Sequence, residues 1–218
     1  MIAAVVKRDL KLAFNSGGAW LHGLFFFAVF IALSAIALGG SLNVMRPFAP
    51  ALIWLAVIFS AMLSFPAIFQ EDYQDGNLAQ LKLSGLSLIR VTTAKAISFA
   101  LLSIVPLILA TPLAALVFDM PPKIMTATIL SLVIAAPALT IYGVLASAIL
   151  AGRRGGFLIV LITTPFLIPL LIFGLGIVEA YLKNGLAALE FRALAGLSLI
   201  AIAIGIPAAA AALNANLE

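Results

Sequence analysis

Six stretches of this chain contain no Asp, Glu, Lys or Arg: Ala19 to Leu38, Phe48 to Phe69, Ala96 to Phe118, Ile124 to Leu150, Phe157 to Val178 and Ala193 to Leu213. Each is as long as the roughly 20 residues that an apolar helix needs to cross a hydrocarbon layer about 30 Å thick. A chain that is 65% apolar and 9% charged is far from a water-soluble composition. The pattern predicts an all-α polytopic membrane protein with six transmembrane helices in one domain, residues 1–218. Six crossings and their connections use up 218 residues, which excludes a soluble nucleotide-binding or catalytic domain within this chain. Whatever drives the protein must then reside on another chain, so no catalytic residue is expected here. The absence of cysteine removes thiolate metal sites, and the single histidine, His22, removes a histidine-cluster metal site within one chain.

The cations orient the spans. If the amino terminus is cytoplasmic, the inside segments hold Lys7, Arg8, Lys11, Lys82, Arg90, Lys95, Arg153 and Arg154, and the outside segments hold Arg46, Lys123, Lys183 and Arg192. Excess Lys and Arg in short loops marks the cytoplasmic side, so both termini are expected there. The first apolar run exceeds the 7 to 15 residues of a cleaved signal's core and is read as a true span.

Residues 2–15 read as an amphipathic helix ahead of the first span. Lys7, Arg8, Lys11 and Asn15 fall on one face and Ile2, Val5, Val6, Leu10, Ala13 and Phe14 on the other. Asp9 falls within the apolar arc, where a carboxylate facing lipid is costly, so it is expected to face protein.

The six spans contain no Asp, Glu, Lys or Arg, and His22 at the start of the first is their one titratable imidazole, which disfavours proton or cation coupling within the membrane. They do contain Pro66, Pro106, Pro112, Pro137, Pro165, Pro169 and Pro207, each of which deletes a backbone hydrogen bond. Pro165 and Pro169, in TTPFLIPLLIFG, are the candidates for a moving helix. On the outer side, residues 179–192 read as a short interfacial or re-entrant helix.

The informative loop lies between the second and third spans, residues 70–94. It carries Glu71, Asp72 and Asp75, unusual acidity for a cytoplasmic loop. Asp75-Gly76 should end one helix, and Asn77 is a plausible cap for a short helix bearing Leu78, Leu81 and Lys82. Exposed leucines on such a helix need a surface to dock on, either a partner or the membrane.

The string F-x-x-D-x-x-D-G-x-L-x-Q-L-x-L is spelled here by Phe69, Asp72, Asp75, Gly76, Leu78, Gln80, Leu81 and Leu83. It resembles the cytoplasmic loop of the CcmB, or haem exporter protein B, family. The turn Arg153-Arg154-Gly155-Gly156, followed by Pro165 and Pro169, is similar to the same family's fourth-to-fifth span region. Ala79 stands where the family commonly has Glu, and Ser84-Gly85 replaces a turn containing proline.

The resemblance implies an ABC export permease of the second class, with an amino-terminal elbow helix and a cytoplasmic coupling helix. It implies a role in cytochrome c maturation at the bacterial inner membrane, in two copies, beside the ATPase CcmA, the haem-handling proteins CcmC and CcmD, and the haem chaperone CcmE. ATP would be hydrolysed on the partner, and the energy used to release haem-loaded CcmE from CcmC. This chain would bind no cofactor directly; ATP and haem would sit on partners, and nucleic acid would play no part. Glu71, Asp72, Gln74, Asp75, Gly76, Leu78, Gln80 and Leu81 would form the ATPase-coupling surface, with Leu78 and Leu81 as apolar anchors and the acids meeting basic groups. Arg153 and Arg154 would meet the ATPase or anionic lipid headgroups. The residues leave two other readings open: an ABC permease for a lipid, polysaccharide or drug, and a passive structural membrane protein or facilitator.

Overall fold

A computed structural model describes residues 2–16, 19–153, 156–184 and 188–217. Helix α1, Ile2–Ser16, precedes α2, Ala19–Ala37, and α3, Leu42–Ser64. A single 3₁₀ turn, Pro66–Ile68, leads to the short helices α4, Gln70–Gln74, and α5, Asn77–Leu83. Then come α6, Leu88–Phe99, and α7, Val105–Val117, joined by a π-helical stretch over Ala100–Ile104. Three long helices complete the chain: α8, Pro122–Ile149, α9, Gly156–Asn184, and α10, Ala188–Asn216. The described residues include no strand.

Five of these elements are long and apolar enough to cross a membrane: α3, the continuous α6–α7 rod, α8, α9 and α10. The protein is therefore a multi-pass, all-helical membrane protein. Helix ends differ from the charge-free runs because a helix can carry a paired charge in its terminal turns. Arg46 is the fifth residue of α3 and Lys95 the eighth of α6. At the other end of α3, Pro66 cannot donate an α-helical hydrogen bond, and the helix gives way to the 3₁₀ turn.

Residues 179–192 do not form a separate interfacial helix. Instead α9 runs on to Asn184 and α10 begins at Ala188. Glu179 and Lys183 stand one turn apart on α9, 3.9 Å from each other, and neither they nor the residues between them interrupt the helix.

In the core, α10 packs along α8, α8 along α9, and α2 along α3. Small residues permit these approaches, as expected where lipid supplies no hydrophobic drive to press helices together. Trp54 of α3 lies on Gly174 of α9, Phe65 on Gly143 of α8, and Ile141 of α8 on Gly205 of α10; none of these sites has room for a Cβ. Trp54 also donates from Nε1 to Ser131 Oγ of α8 at 3.0 Å. Prolines 137, 165, 169 and 207 sit inside unbroken helices. Pro106 is different. In α-helical register its ring would press on the carbonyl four residues earlier, at Leu102, and the π stretch ending at Ile104 shifts the register just before it.

Candidate functional site

Four charged side chains meet where α1, α4 and α6 come together. Arg8 spans two carboxylates: its Nε and Nη2 donate to Asp9 Oδ1 at 3.1 and 2.8 Å, and Nη2 also donates to Asp72 Oδ2 and Oδ1 at 2.9 and 3.1 Å. Lys95 closes the set, with Nζ 3.1 Å from Asp9 Oδ2 and paired with Asp72 Oδ2. Asn77, the first residue of α5, donates from Nδ2 to Asp72 Oδ1 at 3.2 Å. Two acids balance two bases, which is what allows Asp9, Asp72 and Lys95 to be buried.

Burial pushes the Asp72 carboxyl up. The charge and hydrogen bond of Lys95, with Arg8 and Asn77, more than offset that, and its pKa ends below the ordinary carboxylate value. Burial likewise disfavours the Arg8 guanidinium, but hydrogen bonding to Asp9 and the charge of Asp72 leave its pKa raised.

A second tie runs through Tyr73. Its ring lies against Gly152, in the turn after α8, where φ is +80° and a Cβ would collide with the phenol. Its hydroxyl donates to the carbonyl of Asn216 at 3.3 Å, and Asn216 Nδ2 in turn donates to the carbonyls of Ala148 and Ile149 at 3.0 and 3.3 Å. Consecutive residues Asp72 and Tyr73 thus fasten α4 to α1 and α6 on one side and to the ends of α8 and α10 on the other.

The segment expected to carry coupling divides into an inner and an outer face. Asp72 is turned inward rather than offered to a partner, because its charge is satisfied by Arg8 and Lys95. Leu78, expected as an exposed anchor, is fully buried, and Leu81 is half-buried against the core. An apolar side chain on a short helix packs on its own chain when a span lies within reach. Outward lie Glu71, Gln74, Asp75 and Gln80, with Leu83 88% exposed at the end of α5. Gly76, at φ +72°, makes the left-handed turn between α4 and α5 and itself caps α5, so the cap stands one residue before Asn77. Arg153 is exposed, and Arg154 and Gly155 lie outside the described residues. Gly156 opens α9, which stays helical through Pro165 and Pro169.

Lys95 and Arg8 went unrecognised as cluster members. Lys95 reads as one more loop cation and Arg8 as part of a solvated face, and the one sequence signal was Asp9 inside an apolar arc. Among the described residues no group of three or more His, Cys, Asp or Glu is placed to hold a metal ion.

At the opposite end, Arg46 pairs with Asp119 and donates from Nε to the Asp119 carbonyl at 3.1 Å. Nearby, Lys123 lies 5.5 Å from the centre of the Tyr181 ring.

Comparison with known proteins follows the same length of chain. Heme exporter protein B of Bradyrhizobium diazoefficiens is 32% identical over 219 residues, covering 100% of this chain and 99% of that one. The protein of the same name from Haemophilus influenzae is 34% identical, covering 98% and 97%, and that of Escherichia coli K12 is 36% identical, covering 83% and 82%. The CcmB protein family profile matches residues 1–216, and the chain belongs to that family.

Proposed function

We propose that this protein is the membrane subunit of an ABC transporter of cytochrome c maturation, a mechanical transmitter with no catalytic group of its own. The relatives named heme exporter protein B support a reading within haem handling. The observation that carries the mechanism is the double fastening of α4 through Asp72 and Tyr73. A force applied to the short α4–α5 unit reaches α1, α6, α8 and α10 together, through an ion cluster and a hydrogen-bonded turn that resist independent sliding.

In this reading α1 is the elbow helix, α2 is the first of six spans, and both termini are cytoplasmic in a bacterial inner membrane. The cation excess supports that orientation, since α1, the α4–α5 unit, Arg153 and the end of α10 share one end of the bundle. The ATPase CcmA docks on the outward face of α4–α5, formed by Glu71, Gln74, Asp75, Gln80 and Leu83. Two copies of the chain face two ATPases, and closure of the ATPases on ATP tilts the spans. ATP stays on CcmA and haem on the partner proteins. The work done is release of haem-loaded CcmE from CcmC.

The docking face is tested by Asp75→Lys combined with Gln80→Lys. Both positions are exposed and outside the ion cluster, so chain level and thermal stability should hold. Co-purified ATPase should fall about tenfold, as one well-placed charge contact reversed on each copy would produce, and cytochrome c maturation should fall with it. Unchanged recruitment and maturation would refute the proposal.

A further inference from the structure

Beside the ion cluster, α1, α4 and the α6–π rod enclose a cavity of about 140 Å³ that is open on one side. One part of its wall is polar: Asp9, Glu71, Asp72, Lys95, Ser98 and Ser103. The rest is apolar, formed chiefly by Leu12, Ile68, Phe99 and Leu102. The two halves together have the character of an amphiphile's headgroup and the start of its tail.

Three features of the polar half ask for a donor. Ser98 is 3% exposed, lines the cavity, and its Oγ has no hydrogen-bond partner, whereas a helical serine ordinarily bonds the carbonyl one turn back. Asp9 Oδ2 is buried and ion-paired with the Lys95 ammonium at 3.1 Å, but the contact lacks hydrogen-bond geometry, so the oxygen keeps the capacity to accept a further donor. Arg8 and Lys95 balance Asp9 and Asp72, so the carboxylate of Glu71 is the excess negative charge, and it stands exposed beside the cavity with no ion-pair partner among the described residues. The π stretch, a distortion that recurs where helices bind ligands, supplies Leu102 and Ser103 to the wall.

We propose that this cavity binds the headgroup of an aminophospholipid, its primary ammonium held by Glu71 and Asp9 and a headgroup or glycerol oxygen accepting from Ser98. The acyl chains then run out over Leu102 and Phe99 along α6. A phosphate-only headgroup meets net negative charge here and is disfavoured, and a trimethylammonium cannot donate to the carboxylates. Glu71 borders both this cavity and the docking face, and the two proposals are tested separately, since lipid binding is read on the membrane chain alone.

The full-length chain is purified in mild detergent, delipidated, and exchanged into nanodiscs of phosphatidylglycerol mixed with either phosphatidylethanolamine or phosphatidylcholine. Retained lipid is then measured by native mass spectrometry. Retention of phosphatidylethanolamine should exceed that of phosphatidylcholine about tenfold, the scale of one hydrogen bond to a charged group. Glu71→Gln and Ser98→Ala should each abolish most of that preference, while Glu190→Gln, on α10 at the far end of the bundle, should keep it. Leu102→Trp, which narrows the apolar half without touching a charge, gives an independent loss. Equal retention of both lipids by the unaltered chain, unchanged preference in Glu71→Gln and Leu102→Trp, or equal loss in Glu190→Gln would overturn the site. Displacement by soluble ethanolamine as effective as by the lipid would overturn the lipid assignment in favour of a free small ammonium.

Discussion

The two ends of the bundle each hold paired charges, yet in opposite physical settings. At one end Asp9, Asp72 and Lys95 are nearly withdrawn from solvent with Arg8 between them. At the other, the side chains of Arg46 and Asp119 remain 46% and 52% exposed. A buried charge that loses its partner cannot regain its hydration, whereas an exposed one simply returns to water. The difference predicts that one end is rigid because separation is costly, and that the other is tied only loosely. It also places the rigid end where the α4–α5 unit attaches.

The sharpest way to break this comparison is Asp72→Ala. It leaves Arg8 and Lys95 facing one carboxylate, and the expected loss is about 3–5 kcal/mol, the usual consequence of stranding a buried charge. Thermal unfolding of the purified chain should show a large drop. A shift no greater than that of a surface substitution would mean the cluster is hydrated and the contrast between ends is illusory. The pH dependence follows from the same group. Because the folded pKa of Asp72 is lowered, its contribution to stability is fully present above the ordinary aspartate pKa of about 3.9 and is lost as pH falls through the lower folded value. The Asp72 contribution should therefore be constant from about pH 5 upward and be lost only below about pH 4, and Asp72→Asn should remove that part of the acid limb.

Next in size is Gly152→Ala. The left-handed backbone costs an alanine about 1 kcal/mol, and the added methyl must also displace Tyr73. If α4 is fastened on both sides, the variant should lower both the melting temperature and cytochrome c maturation while leaving ATPase recruitment intact. Tyr73→Phe is gentler, since it removes only a 3.3 Å hydrogen bond to the Asn216 carbonyl; a loss of at most about 1 kcal/mol is expected. Comparing the two separates packing of the ring from its hydroxyl.

Much of this was legible in the chain because lipid is an unforgiving solvent. Charge-free runs of about 20 residues have few alternatives to a helix, and Asp75-Gly76 marks a break that the backbone at Gly76 indeed makes. Asp9 was legible for the same reason, as a carboxylate on an apolar arc must face protein. The rest of its cluster was not. Lys95 and Asp72 are brought to it by the folding of α4 and α6 against α1, a long-range event with no local periodicity. Leu78 misled for a related reason: an apolar residue on a short loop helix looks like a docking anchor until the spans beneath it are placed. The π stretch was invisible too, because Pro106 marks a disturbed register without saying how the backbone absorbs it.

The smallest expected effect is also the control on the whole comparison. Arg46→Ala removes the ion pair with Asp119 and the hydrogen bond to its carbonyl, both at an exposed position. Exposed pairs contribute from zero to about 1 kcal/mol, and salt screens them. Thermal unfolding should therefore shift by a small amount at low ionic strength and by less at high ionic strength. The Asp72→Ala shift should depend on salt less, since burial shields most of the cluster from screening ions. If Arg46→Ala proves as damaging as Asp72→Ala, and no more sensitive to salt, the Arg46–Asp119 pair is held by contacts beyond its own charges. Asp119 is where to look first, because it is the one non-glycine residue among those described with positive φ, at 48°. The guanidinium hydrogen bond to its carbonyl would then be pinning a strained turn, and Asp119→Gly, which relieves the strain, should restore part of the stability lost in Arg46→Ala.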